Sequence, residues 1–190
     1  MHPIAVYLAG PDVFAPDPRA LFARRARLCA GLGLRAITPL DPFDDPPQWE
    51  SLPPWHRIAR RNEARIAAAA AVIANLSPFR GPSADAGTIY EIGFARGLGR
   101  PVFAYSIDSA GLLARSLGQV GADARRDGAA WRDRDGMELE DFGCRDNLMI
   151  DGAVADAGAW LADQDADADT LFARVAALCA NALRGQGPTC

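Results

Sequence analysis

Lysine is absent from this chain of 190 residues: all 20 of its basic residues are arginine. We ascribe that bias to base composition of the coding DNA rather than to function. Positive charge is also in the minority, with 24 acidic residues against 20 basic ones and a net charge of −4. A chain of that balance lacks the basic field that general binding to nucleic acid or to anionic membrane requires. Cysteine is sparse. Cys29, Cys144, Cys179 and Cys190 lie far apart and form no CxxC pair, so neither a zinc site nor a disulfide framework is expected. Cys29 and Cys179 fall in helical apolar patterns and read as small core residues. No metal or other cofactor is called for. There are only two histidines. His2 is expected in a disordered end, and His56, beside Trp55, reads more readily as structural than as a base. No apolar run approaches the roughly 20 residues of a membrane-spanning helix. The chain enters a strand-like run at once, with no basic and apolar leader, so the expected location is the cytoplasm.

What is present suits one soluble α/β domain over residues 1–190: 49% of the residues are apolar and 23% charged. Ile4–Ala9 is a short apolar run closed by Gly10-Pro11-Asp12, a buried first strand and its turn. Residues 21–32 have helical spacing and stop at Gly31 and Gly33. Residues 35–38 make a second strand. Residues 41–54, rich in Pro and Asp, form a long loop of the kind that covers binding sites. Residues 55–70 read as a helix with Ile58 and Ile66 inward and Arg57, Arg60, Arg61 and Arg65 outward. Residues 71–76 and 102–105 read as the third and fourth strands, with a helix from Glu91 to Leu98 between them. Residues 124–143, crowded with Arg, Asp and Gly, read as a flexible excursion. Leu148-Met149-Ile150 reads as a short strand, Thr170–Leu183 as a final helix, and residues 185–190 as a frayed tail. Such alternation implies a parallel sheet with helices on both faces, as in Rossmann and flavodoxin folds.

In such sheets ligands bind beyond the carboxyl ends of the strands. Three segments should meet there: the turn Tyr7–Phe14, the loop 78–88, and the start of the helix carrying Glu91. Gly10, Asp12 and Phe14 are the candidate substrate contacts of the first. Gly87 permits close backbone approach or a positive φ. Asp85 or Thr88 can cap the helix. Asp85 and Glu91 are six positions apart, so both can face one pocket if a turn precedes the helix. Two carboxylates in one pocket suit glycosyl transfer, one attacking the anomeric carbon while the other assists the leaving group. The plainer reading is an N-cap and a first-turn acid favoured by the helix dipole. Tyr7 alone reads as a core aromatic, and Asn62 alone as a surface residue.

Longer strings decide between these readings. Tyr7-Leu8-Ala9-Gly10-Pro11, the run Val72–Gly81 (Val-Ile-Ala-Asn-Leu-Ser-Pro-Phe-Arg-Gly), the block Asp85–Ala95 (Asp-Ala-Gly-Thr-Ile-Tyr-Glu-Ile-Gly-Phe-Ala) and Asp146-Asn147-Leu148-Met149 together resemble nucleoside 2-deoxyribosyltransferases. The order and approximate spacing fit over about residues 4–150. The resemblance implies a five-stranded parallel sheet and a set of roles. Glu91 matches the family's nucleophile and Tyr7 the tyrosine that holds it. Asp85 matches the acid that contacts and protonates the nucleobase, and Asn62 the Asp or Asn near the base. Asn147 and Met149 match residues given to the sugar site by a neighbouring subunit, which implies a homo-oligomer. The implied substrates are 2′-deoxynucleosides and free nucleobases.

The chain departs from the family at several points. Many relatives carry an Asp just before the third strand, where this chain has Ala67–Ala71. The excursion at 124–143 resembles the longer forms of the family, and the C-terminal end does not match forms whose terminal carboxylate enters the site. An alternative function is hydrolysis of 2′-deoxynucleoside 5′-monophosphates on a similar fold. Those relatives cradle phosphate with Ser, Arg and Gly after the first strand, where this chain has Gly10-Pro11-Asp12-Val13-Phe14. Arg80 remains available to a phosphate. Phosphoribohydrolases that activate cytokinins carry a Pro-Gly-Gly where this chain has Ser83-Ala84-Asp85. A nucleoside sensor without turnover is a third reading, which the set Tyr7, Asp85 and Glu91 disfavours.

Overall fold

The computed structural model describes residues 3–156 and 158–185; His2 and residues 186–190 of the expected frayed tail lie outside them. In chain order the elements are β1 (Ile4–Ala9), α1 (Pro18–Gly31), β2 (Leu34–Ile37), α2 (Pro54–Ala68), β3 (Ala71–Asn75), α3 (Ala86–Gly97), β4 (Val102–Ser106), α4 (Leu112–Val120), β5 (Arg125–Asp127), β6 (Ala130–Arg132), β7 (Glu138–Leu139), α5 (Leu148–Ala155), β8 (Trp160–Ala162) and α6 (Ala168–Gly185). The main sheet has the order β2-β1-β3-β4-β8, and every pairing in it is parallel. This is the flavodoxin-like order, and it reverses direction between β1 and β3.

Alternating side chains of β1 and β3 feed two separate cores. Val6, Leu8, Ala71 and Ile73 join Phe22, Cys29, Phe172 and Cys179 on the α1/α6 face. Tyr7, Ala9, Val72 and Ala74 join Ile66, Ile92 and Ile150 on the opposite face. Burial on both faces is why these strands read as unbroken apolar runs. Cys29 and Cys179 are fully buried, as expected of them, and burial pushes their thiols up to about 11 and about 12.

Four expectations need correction. Leu148-Met149-Ile150 is the first turn of α5, not a strand; the Asn147 side chain accepts from the Met149 N–H and caps it. Periodicity cannot separate helix from strand in so short an apolar run. The fifth strand is β8 instead. The stretch read as a flexible excursion carries β5, β6 and β7, a small antiparallel sheet. Helix α3 begins five residues earlier than Glu91, at Ala86. On α2, Arg65 is 6% exposed while Ile58 is 54% exposed. The first turns of α2 stand at the rim of the sheet's carboxyl ends, where little covers them. Arg65 lies deeper and finds an aromatic face and two oxygen acceptors. Helix α4 carries no signal that the sequence reading identified.

Candidate active site

The switch point between β1 and β3 is lined at the carboxyl ends by the turn after β1 and the loop from β3 to α3. Gly10 is the pivot of the first. It has φ 152°, and a Cβ there would come within 2.8 Å of both the Asn75 Cβ and an Asp12 carboxylate oxygen. A short 3-10 turn over Pro11–Phe14 then folds Asp12 inward. The Asp12 carboxylate is buried, 2.5 Å from Nη1 of the fully buried Arg25, and accepts from Asn75 Nδ2 at 3.0 Å. Its charge is balanced inside the protein, so Asp12 braces the turn rather than presenting a bare anion to solvent. Asn75 Oδ1 accepts from the backbone N–H and hydroxyl of Ser77, and the Ser77 hydroxyl accepts from the Ile107 N–H. The carboxyl ends of β1, β3 and β4 are thereby joined through side chains.

Alternation along β1 sends Tyr7 to the face covered by α2 and α3. Its buried hydroxyl donates to Glu91 Oε1 at 2.6 Å. From α2, Asn62 Nδ2 donates to the same oxygen at 3.2 Å. Both neutral donors converge on Oε1, and among the described residues Oε2 has no hydrogen-bond partner. The Glu91 carboxyl is raised to about 7, chiefly by burial, with the hydrogen bond from Tyr7 opposing the rise, nearby Asp85 adding to it and the hydrogen bond from Asn62 opposing it. Burial, with Glu91 beside it, also raises the Tyr7 hydroxyl well above its ordinary range, so it stays a donor.

Asp85 takes the N-cap place that its position predicts. As N-cap of α3 its Oδ2 accepts from the Thr88 N–H at 3.0 Å and from the Thr88 hydroxyl at 3.2 Å. That uses one carboxylate oxygen and leaves the other. Gly87 serves through space rather than through positive φ: a Cβ at this position would come within 3.0 Å of that Asp85 oxygen. Phe14 is exposed at the rim, stacked on Phe79 with ring centroids 5.4 Å apart. The Arg80 guanidinium lies 5.1 and 4.6 Å from these two rings.

Asn147 and Met149 are not gathered with Tyr7, Asn62 and Glu91 in this chain. They line a hollow of 270 Å³ with Ile89, Ile92 and Gly93, on another side of α3. Asn147 donates to Glu140 at 2.5 Å, and Met149 is 73% exposed. His56 stacks on Trp55 and takes no part in the cluster. Two features escaped the sequence reading. One is Arg65, whose signal was its place on the same helical stripe as Asn62 and Ile66. The other is the fully buried Asp146, which accepts from Ser83 and Ala84 and so fixes the approach to Asp85. Among the described residues no group of three or more His, Cys, Asp or Glu is placed to hold a metal ion, and no helix is long and apolar enough to cross a membrane.

Fold and site together define a flavodoxin-like α/β protein with a hydrogen-bonded, high-pKa carboxylate at the switch point of its sheet. A sequence model of the nucleoside 2-deoxyribosyltransferases matches residues 6–149, and the chain belongs to that family. Its structure is similar to that of the 2-desoxiribosyltransferase from Leishmania mexicana, at 27% identity and a TM-score of 0.63, covering 92% of this chain and 97% of that one. It shares the fold of a conserved protein from Enterococcus faecalis V583, at 22% identity and a TM-score of 0.52, covering 88% and 94% of the two chains. An uncharacterised protein of Schizosaccharomyces pombe is 26% identical over 171 residues, 83% of this chain and 80% of that protein.

The high pKa of Glu91 has a consequence for stability. Its carboxyl would ionise near 4.5 in the unfolded chain and ionises near 7 in the folded one. A folded pKa above the unfolded value gives a contribution that is complete below about 4.5 and is lost as the pH rises through about 7. Glu91→Gln removes that loss. Its melting temperature relative to the parent chain should therefore be higher at pH 8 than at pH 5, by roughly 5 °C. An equal difference at both pH values in thermal scans would contradict the assigned shift.

Proposed function

We propose that this protein is a nucleoside 2-deoxyribosyltransferase that moves 2-deoxyribose between nucleobases through a covalent ester on Glu91. The observation that carries this reading is the convergence of Tyr7 and Asn62 on one oxygen of a carboxylate with no cationic partner among the described residues. Donors on Oε1 orient the group and leave Oε2 as the attacking atom. Oε2 forms a bond to C1′ of a 2′-deoxynucleoside as the C1′–N bond breaks. The electron pair leaves with the base, which takes a proton from the uncommitted oxygen of Asp85. A second base then attacks C1′ from the opposite face and returns a proton to Asp85, and the ester electrons return to Glu91. Two inversions give net retention. Gly10, Phe14 and Gly87 border the space for substrate, and Phe14 offers an exposed ring for base stacking. Salvage of deoxynucleosides in the cytoplasm is the setting in which such exchange is useful.

One observation favours a second reading, hydrolysis of 2′-deoxynucleoside 5′-monophosphates. The Arg80 guanidinium has aromatic neighbours but makes no ion pair within 4.0 Å among the described residues, so it is free to meet a phosphate. Asp12, an anion in the loop where those relatives cradle phosphate, is neutralised by Arg25 and so presents little obstacle to phosphate. Incubation with deoxyinosine, thymidine and dAMP in turn, with and without adenine, separates the two by product chromatography. The expected result is exchange of the unphosphorylated substrates, about 1,000-fold or more weaker in Glu91→Ala, with an acid limb in kcat/KM near pH 7, where Glu91 ionises. Base release confined to dAMP selects the hydrolase, and binding without turnover selects a sensor.

We further propose that Asn147 and Met149 complete the site of a second copy of this chain. Both line a hollow apart from the Tyr7–Asn62–Glu91 cluster, Asn147 half-buried and Met149 exposed. Glu91→Ala and Asn147→Ala, each inactive alone, should then complement when unfolded and refolded together. Random dimers would recover about a quarter of parental activity, because half are mixed and each mixed dimer holds one intact site. A mixture as inactive as its components would rule out shared sites.

A further inference from the structure

Arg65 is a buried cation, and among the described residues both of its hydrogen-bond acceptors are neutral. It is 6% exposed, and no carboxylate lies within 4.0 Å of it among the described residues. Nη1 donates to Asn62 Oδ1 at 3.0 Å and Nη2 to the backbone carbonyl of Asp41 at 2.6 Å. The guanidinium carbon sits 5.3 Å from the centroid of the Phe43 ring. Burial lowers its pKa from the usual arginine value. A guanidinium in the interior with no carboxylate in contact, and only the more distant Asp41 and Asp45 to favour its charge, is an expensive way to fill a core, so its position calls for a role.

The chemistry of its neighbours supplies one. A primary amide is a donor at one end and an acceptor at the other. Arginine can only donate, and an ionised carboxylate can only accept. Asn62, placed between Arg65 and Glu91, therefore has one orientation that satisfies both: oxygen to Arg65, NH2 to Glu91. Without Arg65 the amide is held from one side only, and its NH2 is free to turn away from Glu91. The second arm of the same fork is tied to the loop between β2 and α2, whose Asp41 side chain in turn accepts from the Thr38 N–H and hydroxyl at 2.9 and 2.8 Å. Asp45 fastens that loop again through Arg61, at 2.6 and 2.5 Å.

We infer that Arg65 is a positioning residue for Glu91: it fixes the Asn62 amide with its NH2 toward the carboxylate and makes that setting depend on the loop at residues 41–53. The inference rests on the reading of Glu91 as the nucleophile. A planar fork suits the task because it reaches two acceptors at once, which a single ammonium on a shorter, flexible stem does not. Titration of Glu91 reports on it. The groups that face Glu91 are Tyr7 from β1, Asn62 from α2 with Arg65 behind it, and Asp85 from the head of α3. Glu63 and Tyr90 are engaged with each other, through a 2.5 Å hydrogen bond.

The test is a double-mutant cycle of Arg65→Met and Asn62→Ala, read as the Glu91 pKa by NMR of carboxyl-labelled glutamate, with Glu91→Gln identifying the resonance. This readout needs no turnover, so the inference can fail while base exchange is intact, and base exchange can fail while the inference holds. Loss of one hydrogen bond to a charged group should raise the Glu91 pKa by about one unit in either single variant. In the double variant Arg65→Met should add nothing to Asn62→Ala, because it acts through the amide. A merely structural Arg65 would lower the melting temperature and leave the Glu91 pKa in place. A purely electrostatic one would give additive shifts. Either result overturns the inference. Arg65→Lys, which keeps the buried charge and guards against a failure to fold, should show a smaller shift that also vanishes in the Asn62→Ala background. A shift in Arg65→Lys that persists there would overturn the inference equally.

Discussion

The hydrogen bond from Tyr7 to Glu91 joins the first strand to the third helix across the switch point of the sheet, and much of the surrounding structure serves to keep it dry and aimed. A carboxylate out of water needs compensation. A cation would supply it but would also hold the pKa low and weaken the group as a nucleophile. Two neutral donors take the cation's place here, so Glu91 keeps its basicity and its carboxyl stands near 7. The instability of that arrangement is the physical counterpart of the reactivity we propose for it.

The fold supplies each partner from a different element. Period-two alternation in β1 gives Tyr7 to one face while Val6 and Leu8 anchor the other. Helix α2 brings Asn62, and α3 brings Glu91 after a cap made by Asp85. Charges that would disturb the site are compensated elsewhere: Asp12 by Arg25 in the α1 core, and Asp45 by Arg61 in the loop. The bracing from Arg25 through Asp12 and Asn75 to Ser77 lies at the strand ends, where an open sheet presents its ligand site.

Local pattern made much of this legible. Strands β1, β3 and β4 were visible as apolar runs because both faces of the sheet are covered there, and the Asp85–Ala95 block pointed to Glu91 through family resemblance where physics alone favoured an N-cap and a helix-start acid. What stayed hidden depended on contacts distant in sequence. Ile58 and Arg65 exchanged their expected places because the end of a helix can overhang a core and because an arginine can be buried against Phe43 and neutral oxygens. The apolar triplet at 148–150 was ambiguous in period, and only its Asn147 cap told helix from strand. The small sheet at 125–139 is built from short strands, exposed or half-buried, with no apolar alternation to announce it.

The reaction we propose for this member of the nucleoside 2-deoxyribosyltransferase family turns on a single chemical step, the formation of a sugar ester on Glu91. Mass spectrometry of the protein incubated with deoxyinosine and no acceptor base addresses that step most directly. The expected result is one added 2-deoxyribosyl group, mapped to the peptide that carries Glu91, absent in Glu91→Gln and discharged by adenine. Base exchange that proceeds with no adduct, or with the sugar on a different residue, would contradict Glu91 as the nucleophile.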